Sequence, residues 1–281
     1  MKFSAFWFAG ALAAAVSVIA AEPEAAIVGG AVPVFNRKAP SPHISASSSF
    51  GDTVIAHVAD GGGWQTIITV LNLRSTATSF TVACFGDNGK AQNFSWSGVG
   101  DFSTLGGSLA GYGSRQISTS ATASTLSQGW CNVDSPDDVA SFAVYSYGPS
   151  GQQVSVPAAP QFLGNGEHGL ILAYDNTGGY SYGVALADST TFTYSGESND
   201  TVTVTFKDQS GNMTGTSSFQ MIPGSHTSFV LTDKWPNLTN TKGTVLFLMQ
   251  SSIVATLAGI GIRSTPWLAF TSVAMYEPTT Y

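Results

Sequence analysis

Histidine is scarce in this chain, and its placement limits the chemistry on offer. His43, His57, His168 and His226 stand apart; no two share metal-ligand spacing, and no His-Glu-x-x-His run occurs. His57 is followed closely by Asp60, just ahead of Gly61-Gly62-Gly63. A histidine base oriented by a carboxylate, with a serine or threonine brought alongside, is the arrangement of a hydrolase. The plainer reading, which the residues favour, is a strand-end histidine and a turn aspartate. No Gly-x-Ser-x-Gly elbow is present, and the triple glycine lacks the following lysine that a phosphate cradle needs. A glycosidase needs two carboxylates across a cleft. Here Asp87, Asp101, Asp134, Asp137, Asp138, Asp200 and Asp208 fall mostly in turn-like stretches. Asp137-Asp138 with Asp134 offers oxygens for Ca²⁺, but a solvated loop is the simpler account and the one expected. The expectation is a protein that is not an enzyme and holds no cofactor and no metal.

Aromatic residues give the one hint of binding. Trp64 and Tyr180 each stand beside a glycine-rich turn, at matching places in the two halves of the chain. Exposed, such rings stack on sugar faces; buried, they supply apolar area to a core. Trp64 and Tyr180 are thus the speculative ligand-binding pair, and extracellular polysaccharide or surface proteins the partners they suggest.

The elements that must carry these residues are strands. Of 281 residues, 43% are hydrophobic but only 10% charged, against a typical value of about 25%. Polar positions are filled by Ser, Thr, Asn, Gln and Gly, which suit strands and turns. The formal net charge is −7 and basic residues are scattered, so nucleic-acid binding lacks its electrostatic term. Short runs rich in Val, Ile, Thr, Phe and Tyr alternate with turn clusters such as Asp87-Asn88-Gly89 and Gln209-Ser210-Gly211-Asn212. That pattern predicts sandwiches or barrels.

The order of motifs recurs. Gly61-Gly62-Gly63-Trp64 matches Gly178-Gly179-Tyr180, and the run from Phe80 to Gly89 matches Val202 to Gly211. Gly113-Ser114-Arg115 matches Gly224-Ser225-His226, and Gly129-Trp130-Cys131 matches Gly243-Thr244-Val245. Val139 to Val144 is set against Ile253 to Ala258, and Val154 to Pro157 against Thr271 to Ala274. The fold class predicted is all-β: two tandem β-sandwich, immunoglobulin-like domains related by internal duplication, at 51–160 and 161–281.

Lys2, the apolar run Ala5 to Ala21 and the small residues before Glu22 have the order of a secretory signal peptide. The alternative is a membrane anchor, for which the run is slightly short. The expectation is a signal peptide at 1–21, a flexible linker at 22–50, and no membrane span once the leader is removed. The localisation this gives is secreted or cell-surface. Self-assembly through sheet edges, with 22–50 adding a strand to a neighbour, is a further possibility.

Cys84 and Cys131 are the only cysteines, and both lie in the first half. Their counterparts in the second half are read as Thr205 and Val245. Joint loss suits a bonded pair, so a disulfide is expected, with two buried thiols as the alternative.

Ile55-Ala56-His57-Val58-Ala59-Asp60-Gly61-Gly62-Gly63-Trp64-Gln65-Thr66, running into Val70-Leu71-Asn72-Leu73, resembles the opening of a domain in exported proteins of soil bacteria, notably acidobacteria. Phe85-Gly86-Asp87-Asn88-Gly89, Gly113-Ser114-Arg115 and Gly129-Trp130 follow in that family's order. The resemblance spans about residues 54–275; in the second half Tyr180 replaces the tryptophan and the His-x-x-Asp lead-in is absent. The family is uncharacterised. It implies export and a β-rich tandem, and supplies no catalytic residue. A structural, adhesive or binding role without catalysis is the leading expectation, with carbohydrate binding and then extracellular hydrolysis behind it.

Overall fold

The computed structural model describes residues 53–136, 138–160, 167–189, 199–250, 257–267 and 269–278. The stretches expected to be leader (1–21) and linker (22–50, with His43) lie outside the described residues, as does Asp137.

The first half contains β1 (Thr53–Asp60), β2 (Trp64–Asn72), β3 (Thr78–Phe85), β4 (Phe94–Trp96), β5 (Gly100–Phe102) and β6 (Thr104–Leu109). It continues with β7 (Ser114–Ser118), β8 (Ser127–Asp134), β9 (Val139–Tyr147), β10 (Gln152–Pro157) and β11 (Ala159–Pro160). The second half contains β12 (Glu167–Asp175), β13 (Ser181–Asp188), β14 (Asp200–Asp208), β15 (Met213–Met221) and β16 (His226–Val230). A single helical turn, α1 (Leu231–Lys234), precedes β17 (Lys242–Gln250), β18 (Leu257–Ser264) and β19 (Phe270–Val273). Period-two burial builds the strands. In β3, Phe80, Val82 and Cys84 are buried while Ser79 is exposed; in β14, Val202, Val204 and Phe206 point inward in the same way.

In the first half β11-β1-β8-β3-β6 forms one sheet and β10-β9-β2-β7 the other. In the second half the sheets are β12-β17-β14-β15 and β16-β13-β18-β19. With β11 and the small β4–β5 ribbon set aside, the strand order of the two halves is the same. Each half packs its sheets face to face. Val54, Val82 and Val133 share a core with Ile68, Val70 and Ala143. Leu172, Val202 and Val245 share another with Val184 and Leu186. The sandwich architecture is as expected, but the order is not that of an immunoglobulin domain, where the first strand pairs with the second. Here β1 pairs with β8, and β2 with β9.

The registers correct two sequence matches. Cys84 lies opposite Cys131, and Phe206 lies opposite Val245. Phe206, not Thr205, therefore fills the place of Cys84, and apolar packing stands where the first half has its disulfide. Val139 ends opposite Asn72, and Leu257 opposite Asp188. The partner of Val139 is thus Leu257, four residues beyond the expected Ile253. The glycine match holds for a steric reason. A Cβ on Gly129 would run into the carbonyl of Phe85, and one on Gly243 into the carbonyl of Lys207.

The Cys84–Cys131 disulfide is formed and links neighbouring strands. Among the described residues no helix is long and apolar enough to cross a membrane.

The halves are joined through a sheet buried on both sides. From β13, Tyr182, Val184 and Leu186 enter the second core, whereas Ala185 and Ala187 enter the first. From β18, Ala258, Ile260 and Ile262 also face the first core. Two-sided burial explains why Gly183 to Ala187 and Leu257 to Ile262 read as unbroken apolar runs rather than alternating ones.

Replacing both cysteines by serine should lower the unfolding free energy by about 4 kcal/mol, the loop-entropy value for a crosslink of this span. Urea denaturation of wild type and the double variant measures this directly.

Candidate functional site

The chemistry-bearing residues converge where the halves meet. Between Ile55 and Val58 the β1–β8 register slips by one residue, a bulge that contains His57. Bulges bend a strand and re-aim a side chain. His57 Nδ1 lies 2.9 Å from His226 Nε2, and the two rings stack at 5.0 Å. His226 is the first residue of β16 in the other half, paired with Ala187 on β13. Its Nδ1 lies 2.7 Å from Asp87 Oδ1, in the turn after β3.

An ionised carboxylate only accepts, so His226 Nδ1–H donates to Asp87. His226 Nε2 then accepts from His57 Nδ1–H when both rings are neutral. The His226 side chain is fully buried, while that of Asp87 is 54% exposed. Burial, and secondarily the neighbouring His226, hold His57 well below its ordinary value of 6.5, so it is neutral at pH 7.

Alternate side chains of β8 and β16 extend the network. Gln128 Nε2 donates to Asp87 Oδ2 at 3.3 Å, and Gln128 Oε1 accepts from Ser228 Oγ at 2.9 Å. Two residues further along β8, the buried Trp130 donates its indole N–H to Gly224 O at 2.7 Å. Period two puts Gln128 with Trp130, and His226 with Ser228, on the facing sides of their strands. The turn carrying Asp87 also needs Gly89, because a Cβ there would meet the carbonyl of Pro223 at 2.6 Å.

The space beside His57 is small. Trp64, Gln128 and Tyr145 close it from one half and Val184 and Ile260 from the other, leaving about 20 Å³. That is room for about one water. Tyr145 donates its hydroxyl to the carbonyl of His57 at 2.6 Å, and burial raises its phenol far above the usual range. Among the described residues no serine, threonine or cysteine is bonded to either imidazole. A larger apolar space of about 270 Å³ runs between β10 and β19, and Glu277 is the one ionisable residue among the described residues that line it.

The residues singled out from sequence fall as follows. Asp60 does not orient His57. Its carboxylate accepts from the backbone amides of Ser95 at 3.1 Å and Ala121 at 2.9 Å, so it ties β4 to the loop between β7 and β8. Trp64 is buried, packed against Tyr147 at 4.8 Å and Phe270 at 5.2 Å. It joins the halves and lines the small space beside His57. Tyr180 sits at the tip of the second sandwich, partly buried, with the Arg263 guanidinium 3.8 Å over its ring. No group of three or more His, Cys, Asp or Glu positioned to hold a metal occurs among the described residues. Sequence reading missed the His57–His226–Asp87 chain because its members lie far apart in sequence, in both halves.

In comparisons with known proteins, no family model, no curated protein and no solved structure matches the chain.

Two outcomes follow. Trp64→Ala should destabilise the fold by about 3–5 kcal/mol, as for a buried aromatic, seen as a shifted urea midpoint. Tyr145→Phe should cost about 1–3 kcal/mol, because it leaves the carbonyl of His57 buried without its donor; the same measurement reads it.

Proposed function

We propose that the protein is a secreted or cell-surface module with a structural, adhesive or binding role and no catalytic activity. One observation carries this reading. The histidines and carboxylate best able to do chemistry are spent in a closed hydrogen-bonded chain that ties two sandwiches together. A base needs a substrate within reach, and the space beside His57 has room for about one water. The disulfide favours an oxidising compartment outside the cytosol, in line with the leader-like N-terminus and with the resemblance to exported bacterial proteins. The matching strand order supports descent of the two sandwiches from one unit.

A second reading, carbohydrate binding, is favoured by a different ring from those the sequence suggested. Trp267 is 81% exposed, in the turn after β18. Its neighbour Pro266 packs against Gly179, which puts the Trp267 turn beside Tyr180 and Arg263. An exposed indole next to a cation and a phenol has the composition of a sugar platform.

Expression of the full chain with its own leader tests the first reading. The protein should be recovered outside the cytoplasm with the Cys84–Cys131 bond intact, and should turn over no ester, peptide or glycoside. Turnover abolished by His57→Ala would reject it. Affinity electrophoresis in soluble polysaccharides tests the second: Trp267→Ala should abolish retardation while Tyr180→Ala weakens it.

A further inference from the structure

We propose that the Asp87–His226–His57 chain is an acid-released latch between the two sandwiches. The chain crosses the junction, because His57 and Asp87 belong to the first half and His226 to the second. Nothing in it depends on the functional reading above.

The proton inventory gives the mechanism. With both imidazoles neutral, His57 Nδ1–H donates to His226 Nε2, and His226 Nδ1–H donates to Asp87. One added proton is absorbed without breaking a bond. With three protons on the four ring nitrogens, one facing nitrogen still donates and the other still accepts. A second proton has no such outlet. It puts an N–H on both facing nitrogens, which are 2.9 Å apart, and adds a second positive charge in a buried site. The two rings must then separate, which loosens the border of the junction that they hold.

The surroundings offer no compensation. The ionisable groups on the elements packed around the pair are Asp60 on β1, Asp87 and Lys90 in the turn after β3, and Asp134 at the end of β8. To these are added Tyr145 and Tyr147 on β9, Tyr182 and Asp188 on β13 and Arg263 on β18. Asp87 is bonded to His226, and Asp60 is committed to the amides of Ser95 and Ala121. Tyr145 spends its hydroxyl on a carbonyl.

The sign of the effect follows from the depressed basicity of His57. A freed His57 binds a proton below about pH 6.5, whereas the latched one stays neutral to lower pH. The latch is therefore fully effective above that value and is lost as pH falls below it.

Two indole N–H groups make a matched pair of reporters. That of Trp130 donates across the junction to Gly224 O, and that of Trp96 donates within the first sandwich to Phe102 O. Their exchange rates, each corrected for intrinsic pH dependence, are to be followed by NMR from pH 7.5 to 4.5 on the intact chain. Protection of Trp130 relative to Trp96 should fall about tenfold for each pH unit below the imidazole range. In His57→Gln, whose amide can still donate to His226 Nε2, the ratio should stay level. A constant ratio in wild type overturns the proposal, as does an equal fall in the variant. Should the variant fail to fold, ¹⁵N shifts of the wild-type imidazoles decide. His57 must take its second proton in the pH interval where Trp130 loses protection, and a mismatch rejects the latch.

Discussion

The molecule depends on one burial: the outer face of β16-β13-β18-β19 against the first sandwich. A sheet that closes one core normally shows its other face to water. Here that other face carries Ala185, Ala187, Ala258, Ile260 and Ile262, and all of them belong to the first half's core. Small residues on β13 let the backbones approach, and the branched side chains of β18 fill the remaining space. Non-directional apolar burial supplies the driving force for the junction. It does not select one docking angle, which is the task of the polar groups at its margin.

Those groups act as a set of keys. His226 and Ser228 project from one strand, Gln128 and Trp130 from its neighbour across the junction, and each finds a partner in the other half. Phe270 N and Ser272 Oγ do the same at the opposite border, donating to Gln152 Oε1 at 2.8 Å and to Ser155 O at 3.1 Å. Polar atoms cut off from water are costly when unpaired, so only a docking that pairs all of them is stable. The histidine chain belongs with these keys in position, and differs from them only because its members can change charge.

Much of the architecture was legible in the residues, and the reasons differ by element. The matching of Gly129 with Gly243 reports a backbone contact that any side chain would forbid. The pairing of Cys84 with Cys131 could be inferred because both lack counterparts in the second half. Register was harder. The apolar run from Ile253 to Ile262 has no polar alternation, so nothing in it marks where β18 begins, and the match slipped by four residues. Thr205 stands one place short of Cys84, and the match of Phe80–Gly89 with Val202–Gly211 itself sets Phe206 there. The burial of Trp64 was hidden for another reason: its neighbours include Phe270, from the far end of the chain. The His57–His226 bond was equally out of reach, since a bulge that re-aims a histidine leaves no periodic trace.

The doubly buried sheet also bears on how the chain must be made. Synthesis runs from the N-terminus, so β1 to β11 are complete well before β18 exists. During that interval the first sandwich carries an uncovered flank around Trp64, Trp130 and Tyr145, and its template is ready before the piece that fits it. The second sandwich meets this flank only after β13 and β18 have paired across the many residues between them. Nascent chains halted short of β18 would therefore be sticky, and a holdase that shields that flank until the last strands emerge would raise the yield of folded protein.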